Sequence, residues 1–136
     1  IRNYYGFDVS KTIIKFNKKK YSQDKNKRFI LIDDYFDQTL LDIRNKKDTN
    51  NLICVSFDVI GHLVEDTVYQ NYLANFSLLN PDYLIVSNSD EEKEYDVSLP
   101  HIKQRNYSRD LINDGWELID VHPKNNNLKL FKKNIL

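Results

Sequence analysis

Methionine is absent from this 136-residue chain, cysteine and tryptophan occur once each, and glycine and proline three times each. So little glycine and proline excludes collagen-like and low-complexity architectures. Cys54 has no second cysteine to bridge to, which points toward a reducing compartment. Net charge is missing too, with 20 basic side chains set against 20 acidic ones. A general nucleic-acid binder shows a basic excess instead. No apolar run approaches the ~18 residues needed to span a bilayer. The expectation is a soluble, cytoplasmic domain with no membrane partner. Residues 1–10 have no charged region followed by an apolar core, so they do not read as a signal peptide.

What is present belongs to a folded chain. Hydrophobic residues make up 40% and aromatics 12%, which argues against disorder. The length supports one domain, burying roughly two-thirds of the surface its unfolded chain exposes. Charge is unevenly spread: Lys11, Lys15, Lys18, Lys19, Lys20, Lys25, Lys27 and Arg28 cluster early, and Asp90, Glu91, Glu92, Glu94 and Asp96 cluster late. Both stretches read as solvated segments.

Strand-like and helix-like stretches alternate. Tyr4-Tyr5-Gly6-Phe7-Asp8-Val9 reads as a strand, after which Ser10 can cap a helix carrying Ile13, Ile14 and Phe16. Residues 28–32 form an apolar run closed by Asp33-Asp34, and a helix is expected over 37–44, followed by a polar loop at 46–51. Leu52-Ile53-Cys54-Val55-Ser56-Phe57 and Tyr83-Leu84-Ile85-Val86-Ser87 show no alternation, as in parallel strands covered on both faces. Between them Val68, Tyr72, Leu73, Phe76 and Leu79 recur at helical spacing until Asn80-Pro81. Ser108 can cap a short helix that Gly115 ends. Two final strands, 116–121 and 128–132, are joined by too few residues for a parallel crossover and should pair antiparallel. The order implies an α/β fold with helices on both faces of the sheet.

Three segments carry a resemblance. Tyr5-Gly6-Phe7-Asp8-Val9-Ser10 resembles the second strand of the Rossmann-like, class I S-adenosylmethionine-dependent methyltransferases. Ser56-Phe57-Asp58-Val59-Ile60-Gly61-His62-Leu63-Val64-Glu65-Asp66 is similar to the end of their fourth strand and the start of the next helix. His101-Ile102-Lys103-Gln104-Arg105-Asn106-Tyr107 resembles a loop of small bacterial and phage members. The resemblance runs from about Tyr4 to Phe131. It implies a mostly parallel sheet with an antiparallel C-terminal hairpin, and methyl transfer from S-adenosylmethionine to an acceptor.

The resemblance also implies roles. Asp8 would accept hydrogen bonds from the ribose hydroxyls, by the logic with which an acid reads ribose in dinucleotide folds; capping the following helix is its other reading. Asp33 or Asp34 would meet the adenine amino group, with Tyr35 or Phe36 against the ring. Phe57 and Asp58 would lie by the methyl donor, where a carboxylate complements a sulfonium or orients a nucleophile. His62 and His101 are candidate acid–base groups because imidazole titrates near neutrality, although His62 also reads as a structural histidine. His101, Arg105 and Tyr107 fall in the longest polar loop and are candidates for binding substrate. No metal is expected, since the three histidines lack ligand spacing.

One departure stands out. The family's first strand and its glycine-rich turn are missing, and no Gly-x-Gly occurs. The expectation is a single domain over 1–136 that is incomplete at its N-terminus. An upstream segment or a partner chain would then supply a strand between 4–8 and 52–57. The alternative is a catalytically silent scaffold or interaction domain. The expected acceptor is a small molecule or glycan rather than nucleic acid.

Overall fold

The computed structural model describes residues 2–47 and 51–134, so residues 48–50 of the expected polar loop lie outside the described residues. The chain forms two compact units, Ile1–Leu40 and Leu41–Leu136.

The first unit holds strand β1 (Tyr4–Asp8), helix α1 (Lys11–Lys20) and strand β2 (Lys27–Leu31). The strands pair in parallel, Tyr4 opposite Lys27 and Asp8 opposite Leu31. Gly6 is required by packing. A Cβ there would meet Phe29 Cδ1 at 2.9 Å and Tyr4 Cε1 at 3.1 Å. The Ser10 hydroxyl caps α1 by accepting from Ile13 N at 3.3 Å, and Ile14 is the buried residue of that helix. Helix α2 (Phe36–Asn45) crosses the boundary between the units and buries Phe36, Leu40 and Ile43.

The second unit contains β3 (Ile53–Phe57), α3 (Asp66–Leu79), β4 (Tyr83–Ser87), α4 (Tyr107–Asn113), β5 (Trp116–Val121) and β6 (Leu128–Lys133). Its strands run in the order β3-β4-β6-β5. The β3–β4 pair is parallel, while β4–β6 and β5–β6 are antiparallel. Two parallel and two antiparallel ladders make this a mixed architecture in two sheets rather than one mostly parallel sheet. The returning strand β6 fits between β4 and β5 and accounts for both antiparallel ladders.

Helices α3 and α4 pack on one side of this sheet. Tyr69, Leu73 and Phe76 of α3 and Tyr107 and Leu111 of α4 share a core with Leu84, Val86, Trp116 and Phe131. Fully burying each such side chain contributes about 1.5–3 kcal/mol. Cys54 and Ser56 face that side, whereas the alternate residues Ile53, Val55 and Phe57 stay about half exposed. The α3 stripe is rotated from the expected one: Tyr69 is buried, while Val68 is 45% exposed. Helix α3 ends at Asn80, which adopts the left-handed conformation with its N–H on the Phe76 carbonyl. Helix α4 starts two residues earlier than expected, at Tyr107. Asn106 caps it by accepting from Arg109 N at 3.0 Å, and Ser108 is buried inside it. Its end is marked by Gly115 at φ +87°, a value that suits glycine.

Candidate functional site

In the first unit, β1 and β2 deliver acidic residues to the same end of their sheet. Parallel pairing forces this, and the ladder continues past the strands with Ile32 N donating to Asp8 O at 2.9 Å. Asp8 is half-buried, and its Oδ1 accepts from Ser10 N at 2.7 Å. That bond is a local turn that stiffens the entry to α1, while the cap itself is the Ser10 hydroxyl. Its Oδ2 meets no donor among the described residues.

Asp33 and Asp34 follow β2 and are both exposed. Asp33 Oδ1 accepts from Tyr35 N at 2.9 Å, a tight local turn. Asp34 makes no hydrogen bond among the described residues, so its whole carboxylate faces solvent. The aromatic neighbours divide as sharply. Phe36 is buried edge-on to Phe7, with ring centroids 5.1 Å apart, while Tyr35 is 77% exposed. Of the two, only Tyr35 offers a free ring face.

In the second unit, Phe57 ends β3 with its ring 54% exposed. Asp58 follows in the left-handed region at φ +54°, with its N–H on the Ser87 carbonyl at 2.8 Å. Among the described residues two non-glycine residues have positive φ, and the other, Asn80, is a helix cap. Asp58 ends no helix. Its exposed carboxylate meets no donor among the described residues, so the side chain gives this left-handed turn, a conformation that Asp and Asn adopt more readily than other non-glycine residues, no bond of its own. A 3₁₀ turn, Ile60–His62, comes next, ahead of α3. It is held to the end of β4 by Gly61 N on Asn88 Oδ1 at 3.2 Å. A Cβ on Gly61 would meet Asn88 Nδ2 at 3.2 Å.

His62 and His101, 39 positions apart, come together here. Their rings are nearly parallel, 14° between planes and 6.2 Å between centroids. His62 Nδ1 lies 3.2 Å from the His101 carbonyl oxygen. A carbonyl can only accept, so Nδ1 carries the proton and Nε2 is the basic nitrogen. Both residues are exposed.

Arg105 and Tyr107 have internal work instead. Arg105 is buried, with its guanidinium on the carbonyls of Leu63 (2.6 Å) and Val64 (2.8 Å) and on Asp66 Oδ1 (2.8 Å), and its charge 4.3 Å from the Tyr69 ring centre. Lys103 reaches the same Asp66 oxygen at 2.7 Å. Lys103 first and Arg105 second hold the Asp66 carboxyl down at about 2. The Tyr107 ring is fully buried, and its hydroxyl donates to Asn127 O at 3.1 Å. Neither residue presents a free polar group to a ligand. The pair that anchors the other end of the same loop left no signal in the sequence: Asp90 takes Ser108 N and the Lys129 ammonium, so the loop is pinned at both ends.

These groups suit a nucleoside better than an amino-acid tail. Asp8 Oδ2, Asp34 and the Tyr35 face are acceptors and stacking surface of the kind a ribose and a base require. A cradle for a methionine moiety needs residues without side chains. Among the described residues Gly6 and Gly61 are taken up by packing and Gly115 by a helix end. No three His, Cys, Asp or Glu side chains among the described residues cluster to hold a metal. Burial pushes the Cys54 thiol up to about 11, so it is inert at neutral pH.

No protein-family model matches the chain, and no curated protein does. Solved structures do. The chain is similar to the N-methyltransferase NodS from Bradyrhizobium japonicum WM9 in complex with S-adenosyl-L-homocysteine, with a TM-score of 0.60 and 14% identity, covering 96% of this chain and 66% of that one. A second crystal structure of NodS gives a TM-score of 0.58 and 14% identity, covering 96% and 73%. The chain thus spans about two thirds of the length of the first of these structures. At this identity the likeness is one of fold alone.

Proposed function

We propose that this chain performs S-adenosylmethionine-dependent methyl transfer to a small-molecule or glycan acceptor. The observation that carries the reading is Asp58, an exposed, unengaged carboxylate on a left-handed backbone at the end of β3. Non-glycine residues in the left-handed region outside helix ends cluster at functional sites. The fold shared with an N-methyltransferase crystallised with S-adenosyl-L-homocysteine supports the same class of chemistry.

Roles follow residue by residue. Asp8 Oδ2 takes the ribose hydroxyls while Oδ1 keeps the Ser10 N–H. Asp34 takes the adenine amino group, since Asp33 is already committed to Tyr35 N, and Tyr35 lies against the base. Phe57 excludes water beside the methyl donor, and Asp58 complements positive charge there. Bound S-adenosylmethionine supplies an electrophilic methyl group on a sulfonium. The acceptor's proton goes to His62 Nε2, with His101 orienting the ring through its carbonyl. Displacement of this kind relies mostly on positioning, so the base is an aid rather than a requirement.

The cradle for the methionine end comes from residues upstream of this chain or from a partner. Strand β3 is an edge strand of its sheet, which leaves a row of backbone groups for a further strand to pair with. The absence of Gly-x-Gly favours one other reading, a silent scaffold domain. Release of S-adenosylhomocysteine by the protein from its full reading frame, incubated with S-adenosylmethionine and a panel of amines and sugars, separates the two. Turnover with any acceptor supports the enzyme, and neither binding nor turnover supports the scaffold.

A further inference from the structure

We propose that α1 rests its outer face on an anionic lipid surface. The helix reads Lys-Thr-Ile-Ile-Lys-Phe-Asn-Lys-Lys-Lys and contains no acid. Lys11, Lys15, Lys18, Lys19 and Lys20 are all exposed, and none is in a salt bridge among the described residues. The helix is anchored to its unit through Ile14. Phe16, two residues on and so roughly 200° round the helix, points away from that anchor and is 60% exposed. Ile13, 45% exposed, lies one turn before it, and Val9, in the turn that precedes α1, is 74% exposed. An apolar strip rimmed by ammonium groups suits the boundary between headgroups and acyl chains. On the outer side, Lys19 and Lys20 fall within about 60° of Phe16, and the Lys20 ammonium lies 5.9 Å from the Phe16 ring centre.

Other polyanions fit less well. A nucleic acid gains nothing from exposed Val9 and Ile13, and the chain as a whole has no net charge. A second copy would have to offer its acidic segment, where Asp90, Glu91, Glu92 and Asp96 are already engaged by Lys129, Lys93, Arg109 and Ser98, leaving Glu94 as the one acid there without a hydrogen bond or ion pair among the described residues. The expectation of no membrane partner rested on spanning runs, and no helix among the described residues is long and apolar enough to cross. A surface contact needs no such run.

Sedimentation of the full chain with phosphatidylcholine vesicles, and with vesicles in which a third of the lipid is phosphatidylglycerol, is the test. Binding should occur only to the anionic vesicles and weaken with salt. The triple variant Lys15→Gln/Lys19→Gln/Lys20→Gln should lower binding by about tenfold or more. Phe16→Ser, tested separately, should lower it several-fold, and both variants should unfold at the parent's temperature. Four results would overturn the proposal: equal binding to neutral vesicles, indifference to Phe16→Ser, release by inorganic phosphate, or tighter binding to a single-stranded oligonucleotide than to vesicles. Absence of vesicle binding, with or without salt-sensitive self-association, would overturn it as well.

Discussion

Nη2 of Arg105 sits 2.8 Å from Oδ1 of Asp66, and Nη1 of the same guanidinium sits 2.6 Å from the carbonyl oxygen of Leu63. One buried side chain thereby ties the polar loop before α4 to the turn that opens α3. Removing it strands two carbonyls. Arg105→Ala should cost about 1–3 kcal/mol, read as a lower denaturant midpoint at unchanged slope. Arg105→Lys should recover only part of this, because a single ammonium cannot reproduce the planar fork. A neutral Arg105→Ala would show that the loop does not depend on it.

The same cluster sets an acid limit. The Asp66 carboxyl is held at about 2 in the folded chain against 3.8 ordinarily. A group lowered on folding stabilises the fold above its unfolded value and loses that contribution as pH falls through the folded one. Asp82 acts in the same sense: burial opposes its charge, yet the Lys47 ammonium and the Leu52 N–H keep its carboxyl below the usual range. Thermal midpoints should therefore fall between about pH 4 and pH 2. Asp66→Asn should flatten that limb, and an unchanged limb in the variant would remove Asp66 from the explanation.

Much of this was legible in the sequence, for local reasons. The run at 83–87 became β4 with the same boundaries, because a continuous apolar stretch of that length has few other uses. The cap at Ser10 was legible too, since a capping hydroxyl acts within three residues. The cap at Asn106 was not, because Ser108 is an equally good capping residue and burial alone decided between them. Arg105 and Tyr107 looked like ligand-binding residues in a polar loop. Their partners, Leu63 and Asn127, lie 42 and 20 positions away, and no spacing rule reports such contacts. The meeting of His62 with His101 was hidden for the same reason. The insertion of β6 between β4 and β5 is likewise a long-range choice, visible only in the register.

Asp58 should separate stability from activity. Glycine accepts φ +54° without strain, so Asp58→Gly should leave stability unchanged or raise it by up to about 1 kcal/mol. Methyl transfer should nevertheless fall sharply. Asp58→Asn, which tolerates the same backbone, should fold normally and also lose activity. Full activity in both variants would return Asp58 to the status of an ordinary turn residue.

Asp8 has two roles that one pair of variants can separate. Asp8→Asn keeps an oxygen for Ser10 N but loses the charge and one acceptor. Asp8→Ala loses both. Cofactor affinity should drop about tenfold in each, consistent with hydrogen bonds to a charged acceptor worth roughly 1.5–3 kcal/mol. Helix stability should drop only in Asp8→Ala, by about 1 kcal/mol. If affinity follows helix stability instead, Asp8 is a turn residue and nothing more.

The central claim is that these residues serve S-adenosylmethionine, with the methionine end held by groups from outside this chain. Calorimetric titration of S-adenosylhomocysteine into the protein from its full reading frame, run beside the 136-residue chain, tests it most directly. The account predicts micromolar binding by the former, weakened by Asp34→Ala, and little or none by the latter. No heat from the full-length protein would contradict the assignment of the cofactor, and micromolar binding by the monomeric 136-residue chain would contradict the need for outside residues.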